Sequence, residues 1–402
     1  MHKQTKSWLE TLKTISERAL GPRKGLSLLR KYSDLFSLDY QALISPRHAL
    51  NDILHLEQVV TSNQQSVSLL KPDANHPQYR LHFYSQEEHY LDEFIPVLEN
   101  VNLRVMDQVQ FSFVIEGIPV TIKSFTIKSS SNNIVPFSQF RKQLLEIIQL
   151  VMAGRLENDA LNKLVILTGM SWQDCDVLRT YRNYYLQLDH RTSKASIHNA
   201  LIGNPQVAGS LFNYFEARFR PNADWEDPLV REEQVLFSLR LQLLEKMASV
   251  KSINDDRILR IFFNLIDATV RSNFHQRRFQ NDYFIAIKID SLGVIDMPAP
   301  RPQYEIYVHG VDMEGIHLRG GKISRGGIRW SDRIDDFRTE ILDLMRTQIS
   351  KNALIIPTGA KGGFVVKRNA PEQDFRKAGK NAYIRLIRGL LDLTDNYCGD
   401  SI

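Results

Sequence analysis

Cysteine is nearly absent from this chain: Cys175 and Cys398 are the only two in 402 residues. Two thiols cannot build a disulfide framework, and they match no Cys/His spacing for a structural metal. Long apolar runs are missing as well. No stretch approaches the roughly 18 consecutive apolar residues that a membrane-spanning helix needs. The N-terminal MHKQTKSWLETLKTISER carries charge but no apolar core, so no secretory leader is expected. An excess of one charge is also lacking, since the formal net charge is only +5. A nucleic-acid binder would need such charge focused into a stripe or a known motif. The densest basic patch, RSNFHQRRFQND (271–282), follows an amphipathic helical pattern and reads as a solvated helix end, where cations suit the dipole. Neither a membrane nor a nucleic acid is an expected partner, and the cytoplasm is the expected compartment.

What remains is ordinary for a globular protein, with 43% hydrophobic and 24% charged residues. The length calls for several domains of an α+β or α/β kind. Residues 1–77 read as short helices, with Trp8, Leu12 and Ile15 on one helical face and Leu50, Ile53, Leu54 and Val59 on another. The period changes over 78–128. Leu81 and Phe83 alternate with polar residues, Tyr90, Phe94, Val97 and Val101 recur at helical spacing, and three alternating runs follow. That is β-α-β-β-β, punctuated by Gly117-Ile118-Pro119. The order is similar to the ACT-type regulatory fold, which implies either an amino-acid-sensing module or a structural one.

SSSNN (129–133) reads as a linker, and 137–275 as a helical region. Phe140, Leu144, Ile147 and Val151 form one stripe there. Ser171 and Asp174 form a capping box that opens the next long helix. Further helices are expected over 229–248 and over 257–271, the second behind Asn254-Asp255-Asp256. Tyr181, Tyr184, Tyr185, Phe212, Tyr214 and Phe215 sit at helical spacing and read as core rather than as a cofactor box. His190 and His198 have no partner at ligand spacing. Strands at 283–289 and 304–310 open a last domain, 280–402.

That domain holds the most informative stretch, Gly315 to Lys367. It contains Gly320-Gly321, Gly326-Gly327 and Gly362-Gly363 among repeated cations, and nine of the chain's 20 glycines lie between Gly310 and Gly363. Glycine lets backbone approach a ligand or another strand closely. A P-loop is not formed, because GIHLRGGKI is off by one in spacing and Ile323 replaces Ser/Thr. The dinucleotide pattern G-x-G-x-x-G does not occur. Several cations around a glycine-lined pocket suit a small dicarboxylate better than a nucleotide. Residues 332–351 read as one helix with Asp332, Asp335 and Asp336 in its first turn, NALIIP (352–357) as a short strand, TGAKGG (358–363) as a turn, and GFVVK as a strand.

RGGIRW, QISKNAL and PTGAKGG, in that order and spacing, resemble the substrate-binding segment of the glutamate dehydrogenases, most closely the large bacterial NAD-specific type. Weaker similarity extends over GMSWQDCDVLRTYRNYY and PAPRPQYEIYVHGVDMEGIHLRGG. The resemblance implies a catalytic role for Lys361 and substrate contacts from Arg325, Gly327, Gln348 and Lys351. It implies NAD as cofactor, glutamate or 2-oxoglutarate as substrate, and a homo-oligomeric full-length enzyme. Arg325 departs from the lysine of smaller members; its fork can still grip a carboxylate, though the two side chains are not interchangeable. The family also places a partner aspartate and an NAD-binding domain beyond NYCGDSI. The chain is therefore expected to be a fragment with no turnover of its own. A non-catalytic regulatory or assembly fragment, sensing amino acids through 78–128, is the alternative.

Overall fold

A computed structural model describes residues 7–73, 77–129, 137–221, 227–321, 324–352, 358–367 and 372–394. They form two compact units, residues 1–162 and 163–402.

The first unit opens with four helices, α1 (Trp8–Leu20), α2 (Pro22–Tyr32), α3 (Leu38–Leu43) and α4 (Pro46–Ser62). Strands β1 (Ser66–Leu70) and β2 (Tyr79–Ser85) follow, then α5 (Leu91–Asn100), β3 (Leu103–Ile115), β4 (Ile118–Ser129) and α6 (Phe137–Met152). The sheet order is β1-β2-β4-β3, antiparallel throughout. Leu12, Tyr40, Ile53 and Leu56 from the helices join Phe111, Phe113 and Ile122 of the sheet in one core.

Three local expectations change here. Residues 66–70 are a strand rather than helix. All five are buried, so the polar–apolar alternation that announces a half-exposed strand is absent. The two runs expected after α5 are one strand, β3, kinked where the pairing shifts between Val105 and Asp107. β3 is the sheet's edge, and its exposed middle hides its continuity. The turn is Glu116-Gly117, both at positive φ (52° and 82°), so Ile118 and Pro119 already belong to β4.

A fully buried carboxylate ties α3, α4 and β2 together. Asp52 accepts hydrogen bonds from Tyr40 (2.5 Å), Tyr84 (2.6 Å) and the Nδ1 of His82 (3.0 Å). Burial alone would raise its carboxyl. The imidazole of His82 and the hydroxyl donors outweigh that and hold it below the ordinary carboxylate range. Asp52→Ala leaves three buried donors unpaired and should cost about 3–5 kcal/mol in urea unfolding. Because the folded carboxyl is depressed, its contribution is present above the ordinary Asp range and is lost as pH falls through the folded pKa. Asp52→Asn should flatten that acid limb of the stability curve.

The second unit begins with helices α7 (Lys163–Thr168), α8 (Trp172–Leu188), α9 (Lys194–Gly203), α10 (Pro205–Phe219), α11 (Pro228–Arg231), α12 (Phe237–Ala248) and α13 (Ile253–Asp267). The capping box of α8 forms as expected: Asp174 N–H reaches Ser171 Oγ at 3.2 Å, and Ser171 N–H reaches Asp174 Oδ2 at 2.8 Å. The six aromatics read as core are all buried. Ser252 caps α13, accepting from the Asp255 N–H at 3.3 Å, so the aspartates lie in the first turn and α13 starts at Ile253.

Next come β5 (Thr269–Ser272), α14 (Phe274–Arg277), β6 (Ile285–Asp290), β7 (Tyr304–His309), β8 (Met313–Arg319), β9 (Ile328–Trp330), α15 (Phe337–Asn352), β10 (Ala360–Val366) and α16 (Glu372–Asp392). The sheet runs β5-β6-β7-β8-β10-β9 and is antiparallel except for β9 beside β10. α16 covers one face over Ala286, Val308 and Phe364, while α8 and α15 meet the other. The basic patch is spent internally: Arg277 pairs with Asp392 at 2.8 Å and Arg278 with Asp174 at 2.6 Å. No helix among the described residues is long and apolar enough to cross a membrane.

Candidate active site

The paired glycines are mostly sites of close approach, to a neighbouring backbone at Gly320 and Gly326 and to side chains at Gly321, Gly362 and Gly363. The extended segment 325–330 runs parallel to 359–364, with Arg325 bridged to Gly359. The Ala360 N–H bonds the Arg325 carbonyl at 3.0 Å, and the Gly362 N–H bonds the Gly327 carbonyl at 2.9 Å. A Cβ on Gly326 would lie 1.4 Å from the Ala360 carbonyl oxygen, so only glycine fits there. A Cβ on Gly363 would lie 2.2 Å from Ile341 Cδ1, which lets α15 lie directly on β10. Among the described residues the positive-φ glycines are elsewhere, at 21, 117, 154 and 169. Close approach, rather than left-handed backbone, explains this cluster.

Lys361 was expected in a turn, but it is the second residue of β10, opposite Leu318 of β8. The strand extends further because both neighbours, β8 and β9, hydrogen-bond to it as far as Ala360 and Gly362 respectively. Lys361 is half-buried. Its Nζ lies 3.8 Å from where a Cβ on Gly327 would stand, so Gly327 borders the ammonium. Strand alternation puts Lys361 on the same sheet face as Gly363, the face that α15 covers. Arg325 is exposed on the segment that leads into Gly327.

The unit β9-α15-β10 is a crossover between parallel strands, so α15 runs back against them and its C-terminal end returns to the Lys361 end of β10. Gln348 and Lys351 belong to that end of α15 by backbone; their side chains lie outside the described residues, as do the expected strand core 353–357 and Lys322.

The start of α15 is set by distant residues. The helix opens at Phe337 instead of Asp332, because Gln187 at the end of α8 donates to the carbonyls of Ile334 (3.0 Å) and Asp335 (3.1 Å) and accepts from the Arg338 N–H (3.2 Å). The buried Arg338 guanidinium donates to Glu305 of β7 through Nη2 and through Nε at 3.0 Å, and Tyr184 donates to the same carboxylate at 2.8 Å. Arg329, unassigned from sequence, pairs with Glu340, and Arg333 pairs with Asp336.

A second buried network escaped sequence reasoning. On α8, Asp176 bonds Arg179 at 2.5 Å and faces His309 of β7 at 3.4 Å. Asn183 donates to Glu314 at 2.8 Å, and Lys367 pairs with Glu314 at 2.9 Å. Burial would raise Asp176, yet the His309 imidazole and the Arg179 guanidinium hold it well below the usual carboxylate range. On the α16 face, burial and the charge of Arg319 push His317, beside Gly362, down to about 4. Asp176, Arg179, Asn183, His309 and Glu314 lie on strands and a helix that are buried along most of their length, where no period marks them.

Comparison with known proteins agrees with the motif reading. Residues 242–402 match the family model for the bacterial NAD-glutamate dehydrogenase catalytic domain, 156–221 that for glutamate dehydrogenase helical motif 3, and 17–59 that for helical motif 2. NAD-specific glutamate dehydrogenase of Halomonas elongata is 34% identical over 408 residues, covering 100% of this chain and 25% of the relative. The proteins of that name from Pseudomonas aeruginosa and Mycobacterium tuberculosis are each 33% identical over 97% of this chain. The chain spans about a quarter of the length of these relatives. Three family models along its length and relatives matched over 97–100% of it make the chain similar to one quarter of the bacterial NAD-specific glutamate dehydrogenases.

Proposed function

We propose that this chain is the substrate-gripping portion of an NAD-dependent glutamate dehydrogenase, which converts L-glutamate to 2-oxoglutarate and ammonia. The observation that carries the reading is topological. Backbone pairing sets Arg325 and Gly327 beside Gly359 and Lys361, and the crossover returns the Lys351 end of α15 to the same end of β10. Lys361 polarises the substrate carbonyl or imine and passes protons to and from water and ammonia. Arg325 takes the distal carboxylate with its fork. Lys351 and Gln348 serve the α-carboxylate end, and Gly327 leaves room next to the ammonium. NAD, held by residues outside this chain, accepts the hydride.

Within this reading 280–402 is the start of the catalytic domain, 137–275 a helical region and 1–77 a helical lead-in. Residues 78–128 form an ACT-like module, supported by the order β2-α5-β3-β4 on an antiparallel sheet. The working enzyme is a cytoplasmic homo-oligomer. If 78–128 senses amino acids, calorimetry of the whole chain against an amino-acid panel gives a saturable heat; silence across the panel leaves the module structural.

Two measurements test the enzymatic reading. The 402 residues alone should give no glutamate-dependent NADH, and turnover by them would refute the proposed division of labour. In an enzyme carrying this segment, Arg325→Leu should raise the KM for glutamate about 10- to 100-fold, the worth of a charged hydrogen-bonded pair. An unchanged KM removes Arg325 from the site.

A further inference from the structure

The second unit carries a cleft of about 410 Å³ between the C-terminal end of α8, α13 and the segment 291–298. Its volume is within the range of small-molecule sites, roughly 300–1,000 Å³. The wall is held in place by Asn264, whose Nδ2 donates to the Gly293 carbonyl at 2.9 Å while its Oδ1 accepts from the Ile295 N–H at 3.0 Å. The floor is apolar, with Leu188, Ile261, Leu265 and Val294. Three arginines, 191, 257 and 260, line it against two acids, Asp189 and Asp296.

The charges are unevenly spent. Asp189 already receives the Thr192 hydroxyl at 2.8 Å, the Arg191 Nε at 3.1 Å and the Tyr185 hydroxyl at 3.1 Å. Arg260 pairs with Asp256 through its Nε alone, at 2.8 and 2.9 Å. Arg257 makes one hydrogen bond, to the Thr192 hydroxyl at 3.1 Å, and stands 3.9 Å from Asp189. A guanidinium carries five N–H donors. Among the described residues, Arg257 therefore keeps donors for a ligand above an apolar floor.

We propose that this cleft binds a small amphipathic carboxylate, its aliphatic or aromatic body on Leu188, Ile261 and Val294 and its carboxylate on Arg257. A dicarboxylate is a poorer occupant, because it brings no apolar body for the floor of Leu188, Ile261, Leu265 and Val294. The cleft is also separate from the Lys361 end: Gln187, one residue before Leu188, holds the chain just ahead of α15, whereas Lys361 lies towards the other end of that helix.

The test is calorimetry of the whole chain with 4-phenylbutyrate and its neutral counterpart 4-phenylbutanol. One saturable site for the carboxylate is expected, with the alcohol about ten-fold weaker or more, as suits a charge-assisted contact. Arg257→Met should weaken the carboxylate about ten-fold and leave the alcohol unchanged. Ile261→Trp fills the floor from a half-buried position and should remove both, with the folded spectrum retained. Should that variant not fold, Leu188→Trp makes the same test. Equal binding of acid and alcohol, no saturable heat, heat that survives filling the floor, or displacement of the probe by 2-oxoglutarate would each overturn the proposal. The last would place the probe at the Lys361 site instead.

Discussion

Lys361→Met, in an enzyme carrying this segment, is expected to cut kcat for glutamate oxidation by about 10²- to 10⁴-fold, the range of a lost proton-transfer group. The fold should be spared. Lys361 is half-buried beside the open side of Gly327, so a methionine of similar length fits the same space. The free energy of urea unfolding should change by no more than about 0.5 kcal/mol, as for a surface change. Lys361→Arg separates two roles. It keeps the positive charge, but arginine does not release a proton in the working pH range. If the charge only anchors substrate, the arginine variant retains most of the activity. If the residue moves protons, it is nearly as poor as the methionine variant. A strand lysine without a role would give wild-type rates in both, and that result would take Lys361 out of the chemistry.

The two glycines of RGGIRW should respond in opposite ways. Gly326→Ala places a methyl 1.4 Å from the Ala360 carbonyl oxygen and 2.3 Å from its carbon, closer than any non-bonded pair can stand. The segment must leave β10, giving up the Ala360-to-Arg325 and Gly362-to-Gly327 hydrogen bonds at 3.0 and 2.9 Å. Two such bonds, with their groups left partly buried, amount to about 2–6 kcal/mol. Activity should vanish with the alignment of Lys361. Gly327→Ala meets only Lys361 Nζ, at 3.8 Å, and its φ is not left-handed. Its unfolding free energy should match the parent within about 0.5 kcal/mol, while the KM for glutamate rises because a methyl now occupies space beside the ammonium. Denaturant melts and steady-state kinetics on both variants check this. Equal destabilisation by the two would contradict the strand pairing described.

Several elements could be read from residues alone because their signals are local. The Ser171/Asp174 box opens α8 by hydrogen bonds that span three residues. The six helical aromatics are buried, since spacing of this kind defines a face wherever it occurs. β6 and β7 lie where alternating apolar runs placed strands. The RGGIRW, QISKNAL and PTGAKGG motifs likewise led to the dehydrogenase homology without coordinates.

Other features depend on partners far along the chain. β1 and β8 are buried on both sides, at Ser66–Leu70 and through most of Met313–Arg319, so their neighbours erase the alternation that would reveal them. The start of α15 is fixed by Gln187, about 150 residues earlier, and no propensity over Asp332–Asp336 contains that information. Gly326 and Gly327 look alike in sequence; only the strand lying beside them separates an obligatory contact from an open space. The chain by itself determined the motifs and their likeness to the glutamate dehydrogenases. How the backbones of RGGIRW and GAKGG pair was decided by the parallel crossover β9-α15-β10, because hydrogen bonds between strands distant in sequence set that register.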